Sequence, residues 1–170
     1  GVLKDSADYV EQGKHCVETM ARIVNDIRTF SRSDKGVMNL ENVNKIIESV
    51  ISIVWNSLRH EVQIQKELGQ LPDIRCNAQQ LSQVFLNLIV NASQATKGCP
   101  GMITIRTTAG SGQVVVEISD TGCGMPKDVM ERIFEPFFTT KGAEEGTGLG
   151  LSITHDIIKK HNGVITVQSE

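Results

Sequence analysis

Asn87 and Asn91 stand four residues apart in the run Asn-Leu-Ile-Val-Asn. On a helix that spacing puts both amides on one face, one turn apart. An amide oxygen can ligate Mg²⁺, and an amide NH₂ can donate to phosphate. Taken alone, such a pair is more often two solvated or capping residues. A second set is Asp120-Thr-Gly-Cys-Gly-Met-Pro, between a predicted strand and a predicted helix. Asp120 can accept a hydrogen bond from an exocyclic amine there, while Gly122 and Gly124 let the backbone approach a flat ring. The same residues also read as a turn with a capping Asp. Third come Phe134, Phe137 and Phe138 followed by Lys141, a loop expected to be pinned by apolar side chains and to carry a cation. Fourth is Gly146-Thr-Gly-Leu-Gly, directly before a helical stretch. Exposed N–H groups and a helix N-terminus make an anion site. This run lacks the Lys-Ser/Thr ending of a P-loop and the preceding strand of a dinucleotide fingerprint.

The elements that must position these groups follow from periodicity. Residues 5–32 place Val10, Val17 and Val24 in one seven-residue series and Met20 and Ile27 in another, offset by three. That is the seam of a helical bundle. This long helix is expected to pack on a second copy or on a helix outside the chain, the alternative being that it folds back on its own domain. A polar linker over 36–42 follows. Val43, Ile46, Ile47, Val50, Val54 and Leu58 then share a helical face, and Leu81, Val84, Phe85, Leu88, Ala92 and Ala95 share another. Val62, Ile64 and Leu68 alternate as in a half-buried strand, and residues 69–73 read as a turn. Residues 103–107 and 114–118 are β-rich runs joined around Gly110 and Gly112, a hairpin signal. A short helix over 125–133, a helix over 149–161 and a last strand over 164–168 complete the reading. Helices and strands mix without strict βαβ alternation, so the fold class is α+β, a two-layer sandwich with helices on one face of a mixed sheet.

Composition removes several classes. The 170 residues carry 17 basic and 20 acidic side chains, a net charge of −3, with no polybasic run. Nothing here makes a nucleic-acid footprint. No apolar stretch is long enough to span a bilayer. Cys16, Cys76, Cys99 and Cys123 form no CxxC pair. They read as reduced thiols in an intracellular protein, not as a zinc site or a disulfide framework.

All four sets, in this order, make the chain resemble the sensor histidine kinases of two-component signalling. Those proteins share an ATP-binding fold with the gyrase B-subunit, the heat-shock chaperone ATPases and the MutL-type mismatch-repair ATPases. Asn87 and Asn91 match the N box, and Asp120-Thr-Gly-Cys-Gly matches the adenine-binding glycine box. Residues 134–138 match the F box, and residues 146–150 the last glycine box. The likeness covers roughly residues 39–170. The run Arg-Ile-Val-Asn-Asp-Ile-Arg-Thr-Phe-Ser-Arg at 22–32 resembles the exit from the second helix of the dimerisation and phosphotransfer hairpin. The resemblance therefore divides the chain into that partial hairpin helix (1–35), a linker (36–42) and an ATP-binding catalytic domain (43–170) that lacks its closing strand.

What the resemblance implies can be stated residue by residue. Asn91 would ligate Mg²⁺, with Asn87 supporting the phosphate–metal cluster. Asp120 would read the adenine amine beside Gly122 and Gly124. Lys141, Thr147, Gly148, Leu149 and Gly150 would hold the phosphates of ATP on a lid. The γ-phosphoryl group would go to a histidine on a helix absent from this chain, and thence to the receiver domain of a response regulator. His60-Glu61 imitates an acceptor pair but sits where a helix gives way to a strand, and His15 lacks a neighbouring acid. The chain is thus expected to bind ATP without phosphorylating itself. His155 and His161 are expected to be structural or solvated. A homodimer through the N-terminal helix is implied, with cytoplasmic location and any membrane anchor in regions of the parent outside this chain.

Two rival readings remain. One is a degenerate, non-enzymatic nucleotide-binding or dimerisation module, opposed by Asn91, Asp120 and the complete glycines. The other is an ATPase of the chaperone or topoisomerase type. In those hydrolysing relatives a glutamate usually stands at position 87, and the amide of Asn87 cannot take a proton from water. Gln94 departs from a basic residue often found there in the family, which puts one phosphate contact in doubt.

Overall fold

The computed structural model describes residues 37–59, 62–96, 101–142 and 146–169. The expected bundle helix over 1–35, and with it His15, lies outside these residues, as does His60. Nine elements follow in order: β1 (Asn39–Glu41), α1 (Val43–Leu58), β2 (Val62–Leu68), β3 (Ile74–Cys76), α2 (Ala78–Ala95), β4 (Gly101–Gly110), β5 (Gln113–Asp120), the single turn α3 (Lys127–Met130) and α4 (Gly150–Lys160). This is the expected α+β arrangement. A three-stranded sheet runs in the order β2-β4-β5, and β1 pairs with β3 in a separate two-stranded sheet.

α1 and α2 each begin at an asparagine cap. Asn42 Oδ1 accepts from Asn44 N at 3.1 Å, and Asn77 Oδ1 accepts from Gln80 N at 3.0 Å. These bonds satisfy donors that a helix start leaves orphaned. The apolar faces of α1 and α2 then close over the sheet. Ile47, Ile89, Ile103 and Ile105 have no exposed surface, and Val43, Val84 and Leu149 have almost none. On α2 the innermost residue is Ile89, whereas Leu88, expected in the core, is only partly buried. The apolar stripe of α2 is wide enough to admit both, and packing against the sheet selects one.

β2 and β4 pair in parallel, Val62 opposite Gly101, with α2 in the crossover between them. β4 and β5 form the predicted hairpin. Its tip, Ser111 and Gly112, has φ of 52° and 76°, the two left-handed residues that a two-residue hairpin loop with the right twist requires. Thr107 is fully buried yet satisfied: its hydroxyl donates to Asn44 Oδ1 at 2.9 Å and accepts from Gly69 N at 3.1 Å.

Two expectations need correction. Residues 164–168 form no strand. A strand exists through its ladder, and no described segment pairs with this one; Val164 is 88% exposed. The helix expected over 125–133 shortens to one turn, because Pro126 precedes it and turns follow Met130.

Candidate nucleotide-binding site

α2 is the spine of the site. Asn87 and Asn91 lie on its partly buried side, beside the wholly buried face. Asn87 is held at both ends. Its Nδ2 donates to Gly150 O at 3.0 Å, with Thr154 Oγ1 at 3.4 Å, and its Oδ1 accepts from Gln83 Nε2 at 2.9 Å. The amide therefore ties α2 to the first turn of α4, and its oxygen faces a donor, not open solvent. Gln83 and Thr154, both unremarked in the sequence, complete this tie.

One turn further on, Asn91 Oδ1 accepts from Lys141 Nζ at 3.3 Å. The same ammonium also donates to Gln94 Oε1. The structure thus brings the glycine-rich segment and the loop cation to the same helix that carries the paired amides.

The C-terminal end of α2 receives the Asp120 loop. Cys123 N donates to Ala95 O at 3.1 Å, and Asp120 Oδ1 accepts from Gly122 N at 2.9 Å. Asp120 is therefore a turn-forming residue as well as the terminal residue of β5. A side chain at Gly122 would put its Cβ 2.6–2.7 Å from Asp120 Oδ1 and from Ala95, so only glycine fits. Gly124 has φ of 67°. From Asn87 to Ala95 the helix axis advances about 12 Å, a span suited to a nucleotide laid along α2.

The loop before α4 is shaped by backbone contact. Phe137 N donates to Gly148 O at 2.9 Å. Both residues are left-handed, with φ of 67° and 66°, and a Cβ on Gly148 would stand 2.3 Å from the Phe137 carbonyl carbon. The three phenylalanines do not all pin the loop. Phe134 stacks on His155 with centroids 5.1 Å apart, Phe138 lies under Arg132 at 4.3 Å, and Phe137 is 68% exposed. The positive φ turns Phe137 outward, and the residue buried here is Ile133. Thr147 Oγ1 accepts from Leu149 N at 3.3 Å, while α4 itself has no side-chain cap. Its first N–H groups keep the partial positive charge of an uncapped helix start.

Two histidines have structural tasks. His155 stacks on Phe134 as above. His161 Nε2 accepts from Asn77 N at 3.0 Å while Nδ1 lies 2.8 Å from Ile157 O, so the ring joins the end of α4 to the start of α2.

Residues 76–170 match the family described as histidine kinase-, DNA gyrase B- and HSP90-like ATPases. The catalytic domain of histidine kinase ThkA is 33% identical and superposes with a TM-score of 0.66, over 72% of this chain and 80% of that one. A ThkA structure in complex with the response regulator protein TrrA gives 27% identity and a TM-score of 0.74, over 91% of this chain and 44% of that one. Among curated proteins, the sensor histidine kinase ZraS of Escherichia coli (strain K12) is 32% identical over 155 residues, 90% of this chain and 33% of ZraS. The chain belongs to this ATPase family, and it carries the catalytic domain of a sensor histidine kinase. It spans between 25% and 33% of the length of the first curated relatives it matches.

Proposed function

We propose that this chain binds ATP along α2 and presents its γ-phosphoryl group to a histidine imidazole, from which a response-regulator aspartate takes it. The observation that carries the reading is the meeting of Asn91, Lys141 and the first turn of α4 on one helix whose far end holds the Asp120 loop. Asp120 Oδ1 is used by its own turn, so Oδ2 is the oxygen offered to the adenine amine. Gly122 and Gly124 keep side chains away from the ring. Lys141, Thr147 and the backbone of Gly148, Leu149 and Gly150 would hold the phosphates with one ammonium and an uncapped helix start, the Leu149 N–H exchanging its 3.3 Å bond to Thr147 Oγ1 for a phosphate oxygen.

The donor set suits a hard divalent cation. The Asn91 amide oxygen accepts from the Lys141 ammonium and has a second lone pair to offer. Among the described residues no group of three His, Cys, Asp or Glu side chains could hold a metal. Mg²⁺ would be held by Asn91 and by the phosphates themselves, as this ion commonly is. Bound there, it would neutralise charge developing between the β- and γ-phosphates. In the transfer, an imidazole nitrogen bonds to the γ-phosphorus, the bond to the β–γ bridging oxygen breaks, and ADP leaves. The chain contributes positioning and charge, which is most of what phosphoryl transfer needs.

Asn87 favours transfer over hydrolysis. It has no carboxylate to activate water, and its amide is engaged by Gln83 and Gly150. The response regulator as partner is supported by the likeness to ThkA, whose structure with TrrA is known. Dimerisation through Val10, Val17, Met20, Val24 and Ile27 and a cytoplasmic setting belong to the same reading. Isothermal titration tests it first: Mg·ATP and Mg·ADP should bind, and absence of heat at millimolar nucleotide would refute it.

A further inference from the structure

Lys141 Nζ donates to two oxygens on α2, Asn91 Oδ1 at 3.3 Å and Gln94 Oε1. Residues three apart on a helix are neighbours, so the two amides offer one site. Lys141 reaches it from a loop 47 residues further along the chain than Gln94. Its backbone is fixed locally, with Lys141 N donating to Thr139 Oγ1 at 3.1 Å. The ammonium, in contrast, ends a flexible four-carbon stem with many rotamers. A neutral amide oxygen that accepts from it selects one of them. A basic side chain at position 94 would instead offer Lys141 no acceptor.

We propose that Gln94 is a positioning residue for the phosphate-binding cation: its amide oxygen holds the Lys141 ammonium beside Asn91, so that the cation of this site comes from the loop and not from α2. The proposal rests on the ATP-binding reading above. It adds that phosphate affinity is tied to docking of the loop, and that the hold exists before nucleotide arrives. Nucleotides without β- and γ-phosphates should be indifferent to it.

The test uses the whole chain, with Gln94→Leu, Lys141→Met, the double variant and Gln94→Glu, each checked for an unchanged melting transition. Gln94→Leu should weaken Mg·ATP about three- to tenfold, the scale of one partly exposed charge-assisted hydrogen bond. AMP affinity should stay the same, and Gln94→Leu should add nothing in the Lys141→Met background. Equal losses for ATP and AMP, or equal losses in both backgrounds, would make Gln94 merely structural and overturn the proposal. A nucleotide-free arm is independent of ATP. A lysine-specific protease should cut after Lys141 several times faster in Gln94→Leu, while Gln94→Glu, which keeps an acceptor oxygen, should cut no faster than the parent. Unchanged cleavage in Gln94→Leu would overturn the hold. If the parent binds no adenine nucleotide, the ATP reading falls, and the cleavage comparison still decides whether Gln94 holds Lys141.

Discussion

The side chain of Asn87 and the backbone of Gly150 are joined by a 3.0 Å hydrogen bond from Nδ2 to the carbonyl oxygen, across 63 residues of sequence. A Cβ on Gly150 would stand 3.7 Å from Asn87 Cγ, an ordinary contact, so a small side chain would fit there without displacing the amide. Through this pair the helix of paired amides fixes the first turn of the helix that ends the glycine-rich segment.

Asn87→Ala should therefore cost about 1 kcal/mol of stability, the net worth of a typical intramolecular hydrogen bond. It should also weaken ATP binding by loosening the start of α4. Urea denaturation and titration on the same variant check both effects. Unchanged stability would mean that the tie is replaced by water at no cost.

Gly148→Ala should damage the loop more than the core. The alanine would need a φ near 66° and would meet the Phe137 backbone at 2.3 Å. Strain of this kind costs on the order of 1–3 kcal/mol. The expected outcome is a clear loss of ATP affinity, with the sheet and α1 retaining their amide-exchange protection.

Asp120→Ala should lose about 1.5–3 kcal/mol of nucleotide binding, the value of a hydrogen bond to a charged group. Titration with ADP measures it. Binding as tight as in the parent would leave Asp120 only its turn, in which Oδ1 accepts from Gly122 N at 2.9 Å.

Cys76 and Cys123 should differ sharply toward a thiol-alkylating reagent. Cys76 is fully buried, and burial first, then the Glu41 carboxylate, push its thiol pKa up. It stays protonated at neutral pH and unreactive. Cys123 is exposed in the Asp120 loop. Peptide mass spectrometry should find Cys123 labelled in the folded chain and Cys76 labelled only after unfolding, with Mg·ADP slowing reaction at Cys123.

Much of this architecture was legible because its signals are local. The helical stripes of α1 and α2 repeat over several turns, and Gly110 and Gly112 mark a hairpin whose tip, Ser111 and Gly112, demands φ above zero. The glycines of the site were legible as a local pattern, but the reason Gly122 and Gly148 admit no Cβ was not, since Ala95 and Phe137 approach them from elsewhere in the chain. The pairing of β1 with β3 was not, because strands of three residues each carry no measurable alternation. Residues 164–168 are rich in β-branched residues and still form no strand, since composition reports a preference and not a neighbour. The tie from Gln94 to Lys141 and the bridge from His161 to Asn77 join residues 47 and 84 positions apart, and nothing in either local sequence announces them.

The central claim is phosphoryl transfer to histidine, and one measurement addresses it directly. The chain is incubated with γ-labelled ATP and Mg²⁺ together with a separately supplied helical hairpin carrying a His-acid pair. The account predicts acid-labile label on the hairpin, absent with Asn91→Ala, and no label on the chain alone. Bound ATP that yields only inorganic phosphate, or acid-labile label on the chain itself that His15→Ala or His60→Ala removes, would contradict it.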